Sequence, residues 1–189
     1  PLTTHADRYR FSRGYGASSY SKGSVFLSQL GYIIGEKNLY KTLKHYFKEW
    51  SFKHPRPYDF IRSAERVSGL ELDWYLMDWA QTTKQLDYQV NSIIGEGEKT
   101  KIVLKREKQM PMPIDVEVVL KDGTSVLYNI PLTMMRGHRP LAGFRLLESW
   151  SWAQPYYIFE VDFPKGSISE VVIDPFNFTA DVNRKNNRL

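Results

Sequence analysis

The sequence predicts an α+β fold: about four N-terminal helices followed by a β-sandwich. Two observations predict it. Apolar residues recur at helical spacing as far as Gln85, and from Leu86 they recur at every second position. The expected parts are residues 1–85, helical, and residues 86–189, the sandwich.

The first helix is predicted through YSKGSVFLSQLGYII, capped by Ser18 or Ser19 and ending at Gly35. Phe26, Leu30, Ile33 and Ile34 make its apolar face, and Ser24, Ser28 and Gly31 form a row of small residues that admits a close neighbour. Leu39, Leu43, Tyr46, Phe47 and Trp50 fit a second amphipathic helix. Pro55 and Pro57 break it, and Pro57 suits the first turn of a third helix, which carries Phe60, Ile61, Ala64 and Val67 and stops at Gly69. A short fourth helix places Leu72, Tyr75, Leu76 and Trp79 on one side. These four helices read as part of a larger helical domain.

In the second half, Leu86, Tyr88 and Val90 alternate with polar residues, and so do Ile114, Val116, Val118 and Leu120. Asp122-Gly123 then joins that run to Val126, Tyr128 and Ile130 as a hairpin. Tyr157, Phe159, Val161 and Phe163 form another strand, followed by ISEVVID. About seven short strands are expected, with QMPMP (109–113) as an edge or loop because neither proline can donate to a ladder.

Composition narrows the chemistry. Hydrophobic residues at 42% against 25% charged describe a globular chain rather than a disordered one. Twelve Tyr, ten Phe and five Trp favour a well-packed core or an aromatic-lined cleft. With no cysteine, disulfides, thiol catalysis and cysteine-ligated metal are excluded within these residues, and the compartment stays open. The net charge of +5 is spread out, with Lys37, Lys41, Lys44 and Lys48 along one helix, and it matches no nucleic-acid-binding motif. No nucleic-acid partner is expected, and no apolar run is long enough to span a membrane. The opening PLTTHADRYRF reads as mid-protein sequence, so the chain is expected to be a fragment or a processed product.

Most motif searches fail. His5, His45, His54 and His138 are too far apart to form a helical ligand pair, and no H-E-x-x-H occurs. Nucleophile motifs are absent, and GEGEKT (95–100) lacks the glycine spacing of a phosphate loop and reads as a turn between strands. Asp73 and Asp78 read as exposed acids on a helix surface. Tyr20, at a helix start before Lys22 and Gly23, remains. A phenol is a neutral hydrogen-bond donor at physiological pH, and a donor held toward a developing oxyanion contributes roughly a hundredfold to rate. Residue chemistry alone leaves Tyr20 between that role and a packed core aromatic, with the core reading the commoner outcome.

The order of motifs shifts the balance. Y-x-K-G opens a helix at Tyr20, L-G precedes a long amphipathic helix, H-P-x-P-x-D-F follows, and S-G-x-x-L-x-W-Y closes a set that ends at Trp79. In this order and spacing the chain resembles the aminopeptidase N family of zinc metallopeptidases, most strongly over residues 1–85. The resemblance implies the helical C-terminal part of a thermolysin-like (gluzincin) catalytic domain followed by a β-sandwich. It implies that Tyr20 donates a hydrogen bond to the tetrahedral intermediate of peptide hydrolysis, and that Tyr15 is a second tyrosine near the substrate. Lys22 is read as a solvated or pairing cation and Gly23 as a close-packing position. The H-E-x-x-H motif and the glutamate that supplies the third ligand should lie upstream, so zinc is expected in the full-length parent and no metal ligand in this chain. The fragment alone is then inactive, with peptide substrates and the N-terminal remainder of the same protein as partners. An extracytoplasmic location is preferred to a cytoplasmic one. A different class of function stays open: a non-catalytic binding or scaffold protein that retains the fold.

Overall fold

A computed structural model describes residues 1–189. The chain divides into two compact units, residues 1–84 with 135–140 and residues 85–134 with 141–189. Each is an ordinary packed body, one helical and one made of sheets, as an α+β fold requires.

The helical unit begins with α1 (Ser12–Gly16), which runs without a break in helical dihedrals through a π-helical turn (Ala17–Lys22) into α2 (Gly23–Ile34). The helix therefore starts well before Ser18 and Ser19, and neither caps it. Phe11 precedes it in an extended conformation, and the Ser18 hydroxyl donates instead to the Pro1 carbonyl at 3.0 Å. The end is as expected: α2 stops at Gly35, and α3 (Glu36–Trp50) starts directly after it.

Gly31 lies where α3 folds back on α2, and a Cβ there would come 3.0 Å from Leu39 Cδ2, so a larger residue requires that side chain to shift. Helix α4 (Pro57–Ser68) opens on its proline, with the Asp59 carboxylate accepting the Arg56 N–H at 2.7 Å, and ends at Gly69 in the left-handed region at φ 74°. Next, α5 (Asp73–Tyr75) continues into a second π-helical stretch (Leu76–Ala80). Leu72, Tyr75, Leu76 and Trp79 are all buried, as their spacing predicts. Leu30, Ile33, Ile34, Ile61 and Ala64 complete this core, and each buried aliphatic side chain contributes about 1.5–3 kcal/mol.

Two expectations fail in this unit. Phe47 is 72% exposed and Leu43 is only partly covered, so the apolar strip of α3 is incompletely buried, while Tyr46 does pack edge-on against Phe60 of α4. Asp78 is buried rather than on the surface, and its carboxylate receives the Lys84 ammonium at 2.5 Å.

The sheet unit contains seven strands: β1 (Tyr88–Glu96), β2 (Lys99–Arg106), β3 (Ile114–Leu120), β4 (Ser125–Ile130), β5 (Phe144–Leu146), β6 (Tyr156–Val161) and β7 (Ile168–Ile173). They form two sheets, ordered β1-β2-β6 and β5-β4-β3-β7. All pairs are antiparallel except β4–β5. Tyr128 and Phe159 meet across the two layers with ring centroids 5.4 Å apart, on a core that includes Ile102, Val116 and Val171. The outer edge of β7 is covered by the chain's last residues, through Val171 N–H to Leu189 O at 3.0 Å and Ile173 N–H to Asn187 O at 2.7 Å.

QMPMP is a loop, as expected, but a buried one. Pro111 and Pro113 have no N–H to satisfy, and the Tyr88 hydroxyl serves both backbone groups of Met112, donating to its O at 3.1 Å and accepting its N–H at 3.0 Å. Asp115, on β3, is buried as well and accepts the side-chain amide of its cross-strand partner Asn129 at 2.8 Å.

Candidate functional site

The residues singled out by sequence converge on the π-helical turn of the helical unit. Single π turns inside α-helices recur at functional sites because they re-aim side chains. In an α-helix, residues five apart lie about 140° from alignment around the axis. A π turn is wider than an α turn, so each residue in it rotates less about the axis. Tyr15 closes α1 and Tyr20 lies inside the π turn that follows. Their rings meet edge to face with centroids 6.1 Å apart, and Tyr9 continues the series on Tyr15 at 5.7 Å.

Tyr20 is 69% exposed and Tyr15 39%. The phenol of Tyr20 is thus not a core group: it stands on the outer side of the turn, with the edge of Tyr15 as its neighbour. An outward phenol held at a kinked helix can present its hydroxyl to a ligand.

Lys22 is neither solvated nor paired with an acid. Its ammonium donates to the Thr82 carbonyl at 2.7 Å, and partial burial lowers its pKa from the usual lysine value, with Tyr9 acting weakly in the opposite sense. Thr82 is itself held in place. Its hydroxyl donates to Asp78 O at 2.5 Å and accepts the Lys84 N–H, while the Lys84 side chain pairs with the Asp78 carboxylate. Gly23 is not a close-packing position, since a Cβ added there would meet nothing within 4 Å. Sequence reasoning missed the Thr82 acceptor because a backbone carbonyl leaves no residue-type signal. It missed the π turn because spacing by fives carries no meaning until the helix is known to begin at Ser12.

The residues present do not fit a zinc ion. No three His, Asp or Glu side chains come together; His5 Nδ1 with Asp7 Oδ2 and His45 Nε2 with Glu49 Oε1, each at 3.5 Å, go no further than pairs. No helix is long and apolar enough to cross a membrane.

Comparison with known proteins gives two likenesses. Residues 3–79 match the peptidase family M1 domain. Among solved structures, aminopeptidase A of Legionella pneumophila, determined in complex with aspartic acid, shares the fold with a TM-score of 0.56 at 15% sequence identity. The likeness covers 87% of this chain, and the chain spans 18% of the length of that protein. No curated protein matches. The family likeness is thus carried by the helical unit, and the structural likeness extends over most of the chain.

Proposed function

We propose that these residues belong to a zinc-dependent aminopeptidase that hydrolyses N-terminal peptide bonds, and that Tyr20 is its oxyanion-stabilising donor. The observation that carries this reading is the placement of Tyr20: an outward phenol on a π turn, inside the segment that matches peptidase family M1. When water adds to a scissile carbonyl, the oxygen gains negative charge. A rigid neutral donor stabilises that oxygen more than it stabilises the planar substrate, and so raises kcat. Tyr15, edge-on to Tyr20, limits the swing of its ring and offers an aromatic surface to the substrate.

Zinc would supply the activated water and the polarised carbonyl in the full-length protein. Its ligands are residues other than these, and this chain alone is inactive. The partners of the chain are peptide substrates and the N-terminal remainder of the same protein. The test is an assay of the full-length protein for release of N-terminal residues from peptides, with and without chelator. Release that survives complete removal of zinc contradicts the reading, and so does failure to release any N-terminal residue.

A further inference from the structure

We propose that Lys22 is the positioning residue of Tyr20: by tethering the π turn to the Thr82 carbonyl, it fixes the rotation of the helix that aims the phenol outward beside Tyr15. The inference rests on the role proposed for Tyr20 but is founded on separate contacts.

Residues two apart on a helical turn do not share a face. Lys22 reaches inward to Thr82, so Tyr20 is turned out. One anchor would leave the helix free to rock, but a second lies four residues on, on the face that Lys22 shares. There the Phe26 side chain is buried, and its carbonyl accepts the Tyr75 hydroxyl at 2.5 Å. The two tethers run in opposite senses. Lys22 donates from the helix to residue 82, and Tyr75 donates from the facing segment back to the helix. Together they hold one side of the helix at two heights.

The π turn makes the first anchor necessary. Its wider turn ends at Lys22, and Gly23, with no side chain to pack, follows immediately. Without Lys22 the turn has no inward side-chain anchor between Ser18, bonded to Pro1, and the buried Phe26. A turn that relaxed to ordinary α-helix would rotate Tyr20 about the helix axis, away from its present contact with Tyr15. Thr82 is a suitable anchor point because it is itself stapled to Asp78 through two separate contacts, its own hydroxyl and Lys84.

Two measurements test this. In the first, amide hydrogen exchange is compared between this chain and its Lys22→Met variant, which keeps the length of the side chain and loses the donor. Exchange should rise at residues 17–22 by about tenfold or more while α3 and α4 are unchanged. Unchanged exchange at 17–22, or an equal rise throughout the helical unit, overturns the proposal. If Lys22→Met does not fold, Thr82→Val loosens the acceptor without touching the helix and should give the same local pattern more weakly.

The second measurement is a double-mutant cycle on the full-length protein. Lys22→Met should lower kcat about tenfold with KM within about twofold, and in the Tyr20→Phe background it should lower kcat by less than about twofold further. Equal losses in both backgrounds would mean that Lys22 acts on general stability, which also overturns the inference. Normal turnover in Tyr20→Phe alone instead removes the catalytic role of Tyr20, and the exchange measurement still decides whether Lys22 aims the turn.

Discussion

Tyr15 and Tyr20 are five residues apart and their rings meet edge to face at 6.1 Å, with Tyr15 in α1 and Tyr20 inside the π-helical turn that follows it. An ordinary α-helix turns residues five apart about 140° away from each other. The pairing makes Tyr15 part of the wall beside the proposed donor. Tyr15→Ala is therefore expected to raise KM several-fold and to lower kcat less than Tyr20→Phe does, and steady-state kinetics on the full-length protein separates the two effects. A loss of kcat equal to that of Tyr20→Phe at unchanged KM would contradict the assignment of Tyr15 to the substrate side.

Gly31 sits where α3 returns against α2, with Leu39 Cδ2 already 3.0 Å from the position of an added Cβ. Gly31→Val forces the half-buried Leu39 aside and is expected to cost about 1 kcal/mol or more, read as a lower urea midpoint with an unchanged slope. Wild-type stability in this variant would mean that the two helices separate without penalty.

In the sheet unit, Tyr88→Phe keeps the ring against Trp150 but strips the partner from both backbone groups of Met112. Leaving two buried groups unsatisfied is expected to cost at least about 2 kcal/mol, measurable by denaturant unfolding. A neutral result would show that water enters the QMPMP loop.

Alkaline titration should expose the same burial. Desolvation pushes the hydroxyl of Tyr88 up to about 12, and burial with the nearby Glu148 carboxylate pushes Tyr157 to about 12 as well. The unfolded chain ionises its tyrosines near 10 and so releases protons first. The stability these neutral phenols contribute is complete below about pH 10 and declines as pH rises toward 12. Ultraviolet titration should show a late, cooperative tyrosine phase that coincides with unfolding. Free ionisation of every tyrosine near pH 10 in the folded protein would contradict it.

Metal analysis gives an independent check on the division of labour between this chain and the rest of the protein. Since no three ligand side chains converge, the 189-residue chain after dialysis should hold far less than one zinc ion and release no N-terminal residues. Stoichiometric zinc would mean that the histidines assemble a site that their separation in this fold does not allow.

Much of the fold is legible in the sequence because periodicity and backbone chemistry report it directly. Pro57 opens a helix, Gly69 closes it, and Ile114, Val116 and Val118 point to one face of a strand. What remained hidden depends on partners distant in sequence. Asp115 and Asp78 are buried because Asn129 and Lys84 meet them, and alternation or helix position alone assigns both to the surface. Phe47 fits an apolar stripe and yet stays largely exposed. For the candidate site, sequence singled out Tyr15 and Tyr20 but began the helix too late to see that both lie on one continuous helix with a π turn at Tyr20. It also took for a solvated or pairing cation the lysine that anchors to Thr82.

The central claim is that the Tyr20 hydroxyl stabilises the transition state of peptide hydrolysis, and the most direct test is kcat of the Tyr20→Phe variant of the full-length protein. Removing one oxygen leaves the ring against Tyr15, so the zinc content and KM should stay close to wild type while kcat falls about a hundredfold or more. Near-normal turnover in a correctly folded, zinc-loaded variant would contradict the account.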